Sequence, residues 1–165
     1  MAKLKSHIPD KQRVVLVNVL DICDFEATYI KELIRFAREK DHFLVYVVTK
    51  QDLLPQGATK DRLQKWCRER LNKLAEENGV EEGKVKDHLC ILSGKQRQTF
   101  SQIISVLKRL KGVHYESEQR RLKMFVVGCA NSGKSTFINT LYHSVAKYEK
   151  AQKKETHRFP ITEFA

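Results

Sequence analysis

One eight-residue run constrains this chain more than any other: Gly128-Cys129-Ala130-Asn131-Ser132-Gly133-Lys134-Ser135. It fits the phosphate-loop pattern G-x-x-x-x-G-K-[ST] at every fixed position. Its flanks fit as well. Met124-Phe125-Val126-Val127 reads as a strand leading in, and Thr136 to Leu141 as a helix leading out. That strand–loop–helix setting separates a working loop from an ordinary Gly-rich turn. The glycines let backbone N–H groups turn inward around phosphates. Lys134 reaches the β- and γ-phosphates, and the Ser135 hydroxyl is placed for Mg²⁺. With Asn131, Ser132, Gly133 and Thr136 these residues form the expected cradle of a nucleoside triphosphate.

The rest of the chain alternates between two periodicities. Arg13 to Leu20 is a continuous β-branched run, as in a strand buried on both faces, and Tyr29 to Arg38 follows at helical spacing. Phe43 to Val48 is a second buried strand. After a loop from Thr49 to Gly57, the spacing of Leu63, Trp66, Leu71 and Leu74 predicts a helix from about Lys60 to Asn78. His88 to Leu92 is a third strand, and Phe100 to Leu110 a helix with Ile103, Ile104, Leu107 and Leu110 on one side. The last helix is expected to reach about Tyr148. Strands alternating with helices imply right-handed crossovers. The expected fold is α/β in three layers, with about four parallel strands in a P-loop-type half-sheet. It forms one compact domain in which residues 1–111 and 122–165 flank a polar linker at 112–121. Ligands of such sheets sit at the carboxyl ends of the strands.

Composition narrows the partners. Lys and Arg number 31 against 20 Asp and Glu, a formal charge of +11. The excess clusters in Lys60 to Arg70, Lys108 to Lys123 and Lys147 to Arg158, which points to a polyanion, RNA in particular. No apolar run is long enough to span a membrane. The cysteines (Cys23, Cys67, Cys90, Cys129) are scattered with no C-x-x-C pair, so they read as reduced thiols rather than as zinc ligands or a disulfide framework. The six histidines form no ligand pair.

Three further loops follow strands. Asp21 to Phe25 comes after the first, Thr49-Lys50-Gln51-Asp52 after the second and Ser93-Gly94-Lys95 after the third. A buried carboxylate at Asp52 can accept hydrogen bonds from N1–H and the exocyclic amine of guanine. Adenine offers no such pair of donors, and an unpaired buried carboxylate is costly. The aliphatic stem of Lys50 can cover one face of the purine, and Ser93 and Gly94 can offer backbone N–H groups to the guanine carbonyl. Taken singly each segment also reads as a polar turn; together, and in this order, they read as a base-recognition set.

T-K-Q-D resembles the guanine-specificity box N-K-x-D, and S-G-K resembles the S-A-K box of GTPases. With the phosphate loop coming after both, the order is that of circularly permuted GTPases. D-I-C-D-F-E, T-K-Q-D-L-L-P and V-V-G-C-A-N-S-G-K-S-T-F-I-N together resemble the YqeH family over roughly Arg13 to Leu141. The resemblance implies binding of GTP or GDP with Mg²⁺, slow GTP hydrolysis, and a role in assembling the small ribosomal subunit through its RNA and proteins. It also implies a K⁺ ion near Asn131, and a mitochondrial location, with a plastid or the bacterial cytoplasm as alternatives. Thr162, in a segment resembling the first switch, is a candidate second Mg²⁺ ligand beside Ser135. Departures are plain. Thr49 replaces the usual Asn, which would brace the phosphate loop, so a lower nucleotide affinity is expected. None of the seven aspartates has Gly three residues on, so the D-x-x-G box is missing, and so is the zinc module of bacterial members. The family's strand order predicts that Phe125 to Val127 forms a sheet edge in need of cover. A hydrolytically inert docking component is the alternative reading. An ATP-using kinase is a third, opposed by Asp52.

Overall fold

The computed structural model describes residues 6–8, 13–55, 57–80, 87–92, 100–114 and 123–151. Four strands, β1 (Val15–Asp21), β2 (Phe43–Thr49), β3 (Asp87–Ile91) and β4 (Met124–Gly128), form one sheet of order β3-β2-β1-β4. Every pairing is parallel. The last strand of the chain therefore returns beside the first. Among the described residues β4 pairs only with β1, as the permuted strand order requires.

Strand alternation splits the core in two. Leu16, Leu20, Leu44, Tyr46 and Val48 face one side of the sheet and pack beneath α1 (Phe25–Thr28), α2 (Lys31–Glu39) and α3 (Lys60–Glu77). Val15, Val17, Val19, Phe43, Val45 and Val47 face the other, under α4 (Phe100–His114) and α5 (Lys134–Ala151). These are the three expected layers. All seven residues of β1 are buried, and likewise of β2, because both strands are covered on both faces.

One polar residue interrupts β1. Asn18 is fully buried, a position that costs several kcal/mol unless its amide is paired. Its Oδ1 accepts from Ile30 N at 3.2 Å and its Nδ2 donates to Thr28 O at 3.4 Å. Asn18 thus satisfies the backbone where α1 breaks and α2 begins. This explains why the helix expected from Tyr29 starts at Lys31: Tyr29 is extended and Ile30 serves as N-cap. The helix expected to end at Leu110 runs on to His114, into the segment read as a linker; an interior Gly112 weakens a helix without removing its hydrogen bonds. Gly79, at φ +72°, closes α3 with its N–H on Glu76 O, a left-handed turn that glycine takes without strain.

Trp66 departs from expectation. The stripe of α3 that meets the sheet is Leu63, Cys67, Leu71 and Leu74, with Cys67 in the place assigned to Trp66, which stands outside at 46% exposure.

Candidate functional site

The site is built where β1, β2 and β4 end together. Register pairs Asp21 with Thr49 and Val19 with Gly128, so the end of each strand delivers its loop to one edge of the sheet. After Gly128 the chain turns through Asn131, at φ +59°, and Gly133, at φ +89°, and then enters α5 at Lys134. Both glycines are required by space. A Cβ on Gly128 would stand 2.7 Å from Ser132 Oγ and 2.9 Å from Val19 O. One on Gly133 would meet Thr49 Oγ1 at 3.2 Å, besides forcing a left-handed backbone on a side chain.

Thr49 is where the two halves of the site meet. Its hydroxyl lies 2.8 Å from Ser132 O and 3.0 Å from Leu20 O, so one proton is shared between the phosphate loop and the end of β1. A brace on the phosphate loop is therefore present, made by a side chain shorter than asparagine. Short reach suffices because Gly133 has no Cβ to hold the loop away.

Lys50 takes a left-handed conformation (φ +63°) and its ammonium is paired with Asp21. The hydrogen bond to Asp21 holds the Lys50 pKa above its ordinary value. Asp21 is itself fixed: Oδ1 accepts from Cys23 N at 3.0 Å, and its N–H donates to Thr28 Oγ1 at 3.0 Å. Anchored this way, the Lys50 stem is held across the site rather than left free in water. Sequence reasoning gave Asp21 no role. The available signal was a carboxylate at a strand end, in register with the residue before the lysine.

A cavity of about 190 Å³ opens here, lined by Thr49, Lys50, Asp52, Leu92, Gly133, Thr136 and Phe137. That is below the roughly 300–1,000 Å³ of clefts holding whole ligands, and suits one part of a nucleotide such as its base. Leu92 and Phe137, each 1% exposed, form its apolar floor; the sequence placed them only in the third strand and in the helix after the phosphate loop. Asp52 sits in a 3₁₀ turn (Gln51–Leu53) and is exposed, which corrects the expectation of a buried carboxylate.

Of the phosphate-loop residues, Lys134 folds back so that Nζ donates to Cys129 O, and the ammonium stays on the loop. Cys129 Sγ in turn donates to Ala27 O at 3.3 Å, tying the loop to α1. Ser132 is fully buried and its hydroxyl has no hydrogen-bond partner among the described residues, an unused donor inside the loop. Asn131, Ser135 and Thr136 are exposed, Ser135 and Thr136 on the first turn of α5. Glycine-shaped backbone, a fixed cation and spare donors fit an anionic group. No group of three or more His, Cys, Asp or Glu able to hold a metal exists among the described residues. The Ser135 hydroxyl, exposed on the first turn of α5, is an oxygen of the kind Mg²⁺ accepts, since that ion takes one or two protein oxygens and completes its shell with phosphate and water. Ser93, Gly94, Lys95 and Thr162 lie outside the described residues, as does the chain beyond Ala151 that was expected to cover β4.

No family model matches the chain. It is similar to YqeH of Bacillus subtilis, 30% identical over 135 residues, covering 82% of this chain and 32% of that protein. It is 33% identical over 140 residues to an uncharacterized GTP-binding protein of Methanocaldococcus jannaschii, covering 84% of this chain and 31% of that one. NO-associated protein 1, chloroplastic/mitochondrial, of Arabidopsis thaliana is 26% identical over 145 residues, covering 82% and 21%. The chain spans between a fifth and a third of the length of these relatives.

Proposed function

We propose that the chain is a YqeH-like, circularly permuted P-loop GTPase domain whose cleft binds GTP or GDP with Mg²⁺ and which serves ribosome assembly. One observation carries the nucleotide reading: Thr49, Lys50 and Asp52 share a cavity with Gly133 and Thr136, residues some eighty positions away. In this reading Asp52 pairs with guanine and the Lys50 stem covers the ring. Lys134 and the loop N–H groups hold the phosphates, and Ser135 gives Mg²⁺ an oxygen, with Thr162 a second candidate. Asn131, at the loop's left-handed corner, is the candidate contact for K⁺. Ser93, Gly94 and Lys95 complete base recognition.

The basic segments support a polyanionic partner, and the resemblance supports reading it as ribosomal RNA, with ribosomal or assembly-factor proteins, on the small subunit. No helix among the described residues is long and apolar enough to cross a membrane. A mitochondrial matrix, with a plastid as alternative, is supported by the chloroplastic/mitochondrial Arabidopsis relative; the bacterial cytoplasm is supported by the Bacillus relative.

Competition between GTP and ATP for a fluorescent GDP analogue tests the reading. GTP should displace it and ATP should not. Asp52→Asn should erase the preference, weakening guanine binding by about 10- to 100-fold while leaving phosphate contacts in place. Equal displacement by ATP and GTP would overturn the guanine assignment.

A further inference from the structure

We propose that the outer face of α3 around Trp66 docks single-stranded RNA, with a base stacked on the indole and its phosphates on the flanking cations. The inference rests on the RNA partner proposed above and names the surface that meets it. Leu53, Trp66 and Tyr142 are the large exposed apolar residues among those described. Trp66 differs in resting on a buried ring, whereas the ring that meets Tyr142, His143, is itself exposed. The Trp66 ring meets the buried Phe25 edge-on, centroids 5.2 Å apart and planes at 72°, while nearly half of the residue remains open to solvent. A ring fixed from behind loses little freedom when something stacks on it.

The charges around it are arranged for a polyanion. Arg62 and Arg70 lie four residues before and after Trp66, which places them beside it on one helix face, and Lys73 follows one turn on. Arg70 is paired with Glu26 on α1 and so partly neutralised, which leaves Arg62 and Lys73, both exposed, as the main cations of the face. The other nearby carboxylate, Glu69, is 3.9 Å from Lys65 and so partly neutralised in turn. Cations flanking an aromatic platform are what a single strand needs: phosphates take the charges and any base takes the ring. An acidic peptide would use the cations but not the indole, whose face carries negative charge density. That asymmetry favours RNA.

Trp66 is the one tryptophan of the chain, so emission excited selectively from tryptophan rather than from the five tyrosines reports on this face alone. The full chain is titrated at low salt with a labelled twelve-residue oligoribonucleotide, following tryptophan emission and probe anisotropy together. Heparin and polyglutamate are the control polyanions. RNA should quench the emission in step with the anisotropy, and neither control should. Trp66→Ala should weaken RNA about 5- to 100-fold and leave heparin unchanged. Arg62→Gln should lower the salt slope by about one without abolishing the quench. Anisotropy without quenching would place RNA elsewhere, overturning this surface while sparing the RNA partner. No anisotropy change would remove that partner as well. Quenching by polyglutamate as strong as by RNA would assign the face to acidic protein and overturn the inference.

Discussion

Thr49→Val isolates the contact that joins the two halves of the domain. Valine keeps the branched shape but replaces the hydroxyl with a methyl facing Ser132 O at 2.8 Å and Leu20 O at 3.0 Å. Thr49 is only 9% exposed, so water cannot easily serve the two carbonyls in its place. Losing a buried donor costs about 1–3 kcal/mol, and a methyl at those distances adds crowding, so the loss should fall toward the upper end. For a domain of this size, that lowers Tm by roughly 2–12 °C. Thr49→Ser keeps the hydroxyl and gives up only the methyl that packs near Gly133, so it should cost less than about 1 kcal/mol. The assay is urea unfolding of wild type, T49S and T49V, paired with affinity for a fluorescent GDP analogue. If the hydroxyl braces the phosphate loop, T49V should lose stability and affinity together, because the loop it releases is the one that holds phosphate. T49V and T49S equal in stability to within about 0.3 kcal/mol would refute the reasoning: shape, not the hydrogen bond, would then hold the loop.

His42 should give the domain a pH-sensitive term. It is buried at 7% exposure with neither ring nitrogen hydrogen-bonded among the described residues, and burial first, then Lys40 and Arg13, push its pKa below the ordinary value. The unfolded chain therefore takes up a proton first as pH falls. Stability should be full above about pH 6.5 and decline below it at up to about 1.4 kcal/mol per pH unit; urea unfolding of His42→Leu should lack that share of the slope between pH 6.5 and 5. Thiols should react in two classes. Burial raises Cys67 to about 12 and Cys90 to about 11, while Cys23 is exposed and Cys129 half-buried, so a water-soluble disulfide reagent should titrate two thiols rapidly and two only on unfolding. GTP hydrolysis by this chain alone should be very slow, since no D-x-x-G box is present to place water and Mg²⁺; phosphate release near 1 s⁻¹ would contradict this.

What the sequence determined by itself was everything written in short-range spacing. The phosphate loop, the strand runs around Val17 and Val45 and the helical stripes can be read because each depends on residues within one or two turns of one another. Motif order then set strand order: with T-K-Q-D ahead of G-C-A-N-S-G-K-S, the last strand had to return beside the first, and β4 does so against β1. Tertiary structure alone decided the contacts between segments. Thr49 reaches Ser132 across 83 positions, Lys50 reaches Asp21 across 29, and Asn18 serves the junction before α2. None of these pairs has a periodic signature, because each is produced by strand register and by the absence of a side chain at Gly133. The same limit explains Trp66 and Asp52. Hydrophobicity placed one in the core, and chemistry placed the other in a buried pocket. Exposure, however, depends on which neighbours the fold supplies, and here it leaves both side chains open to solvent.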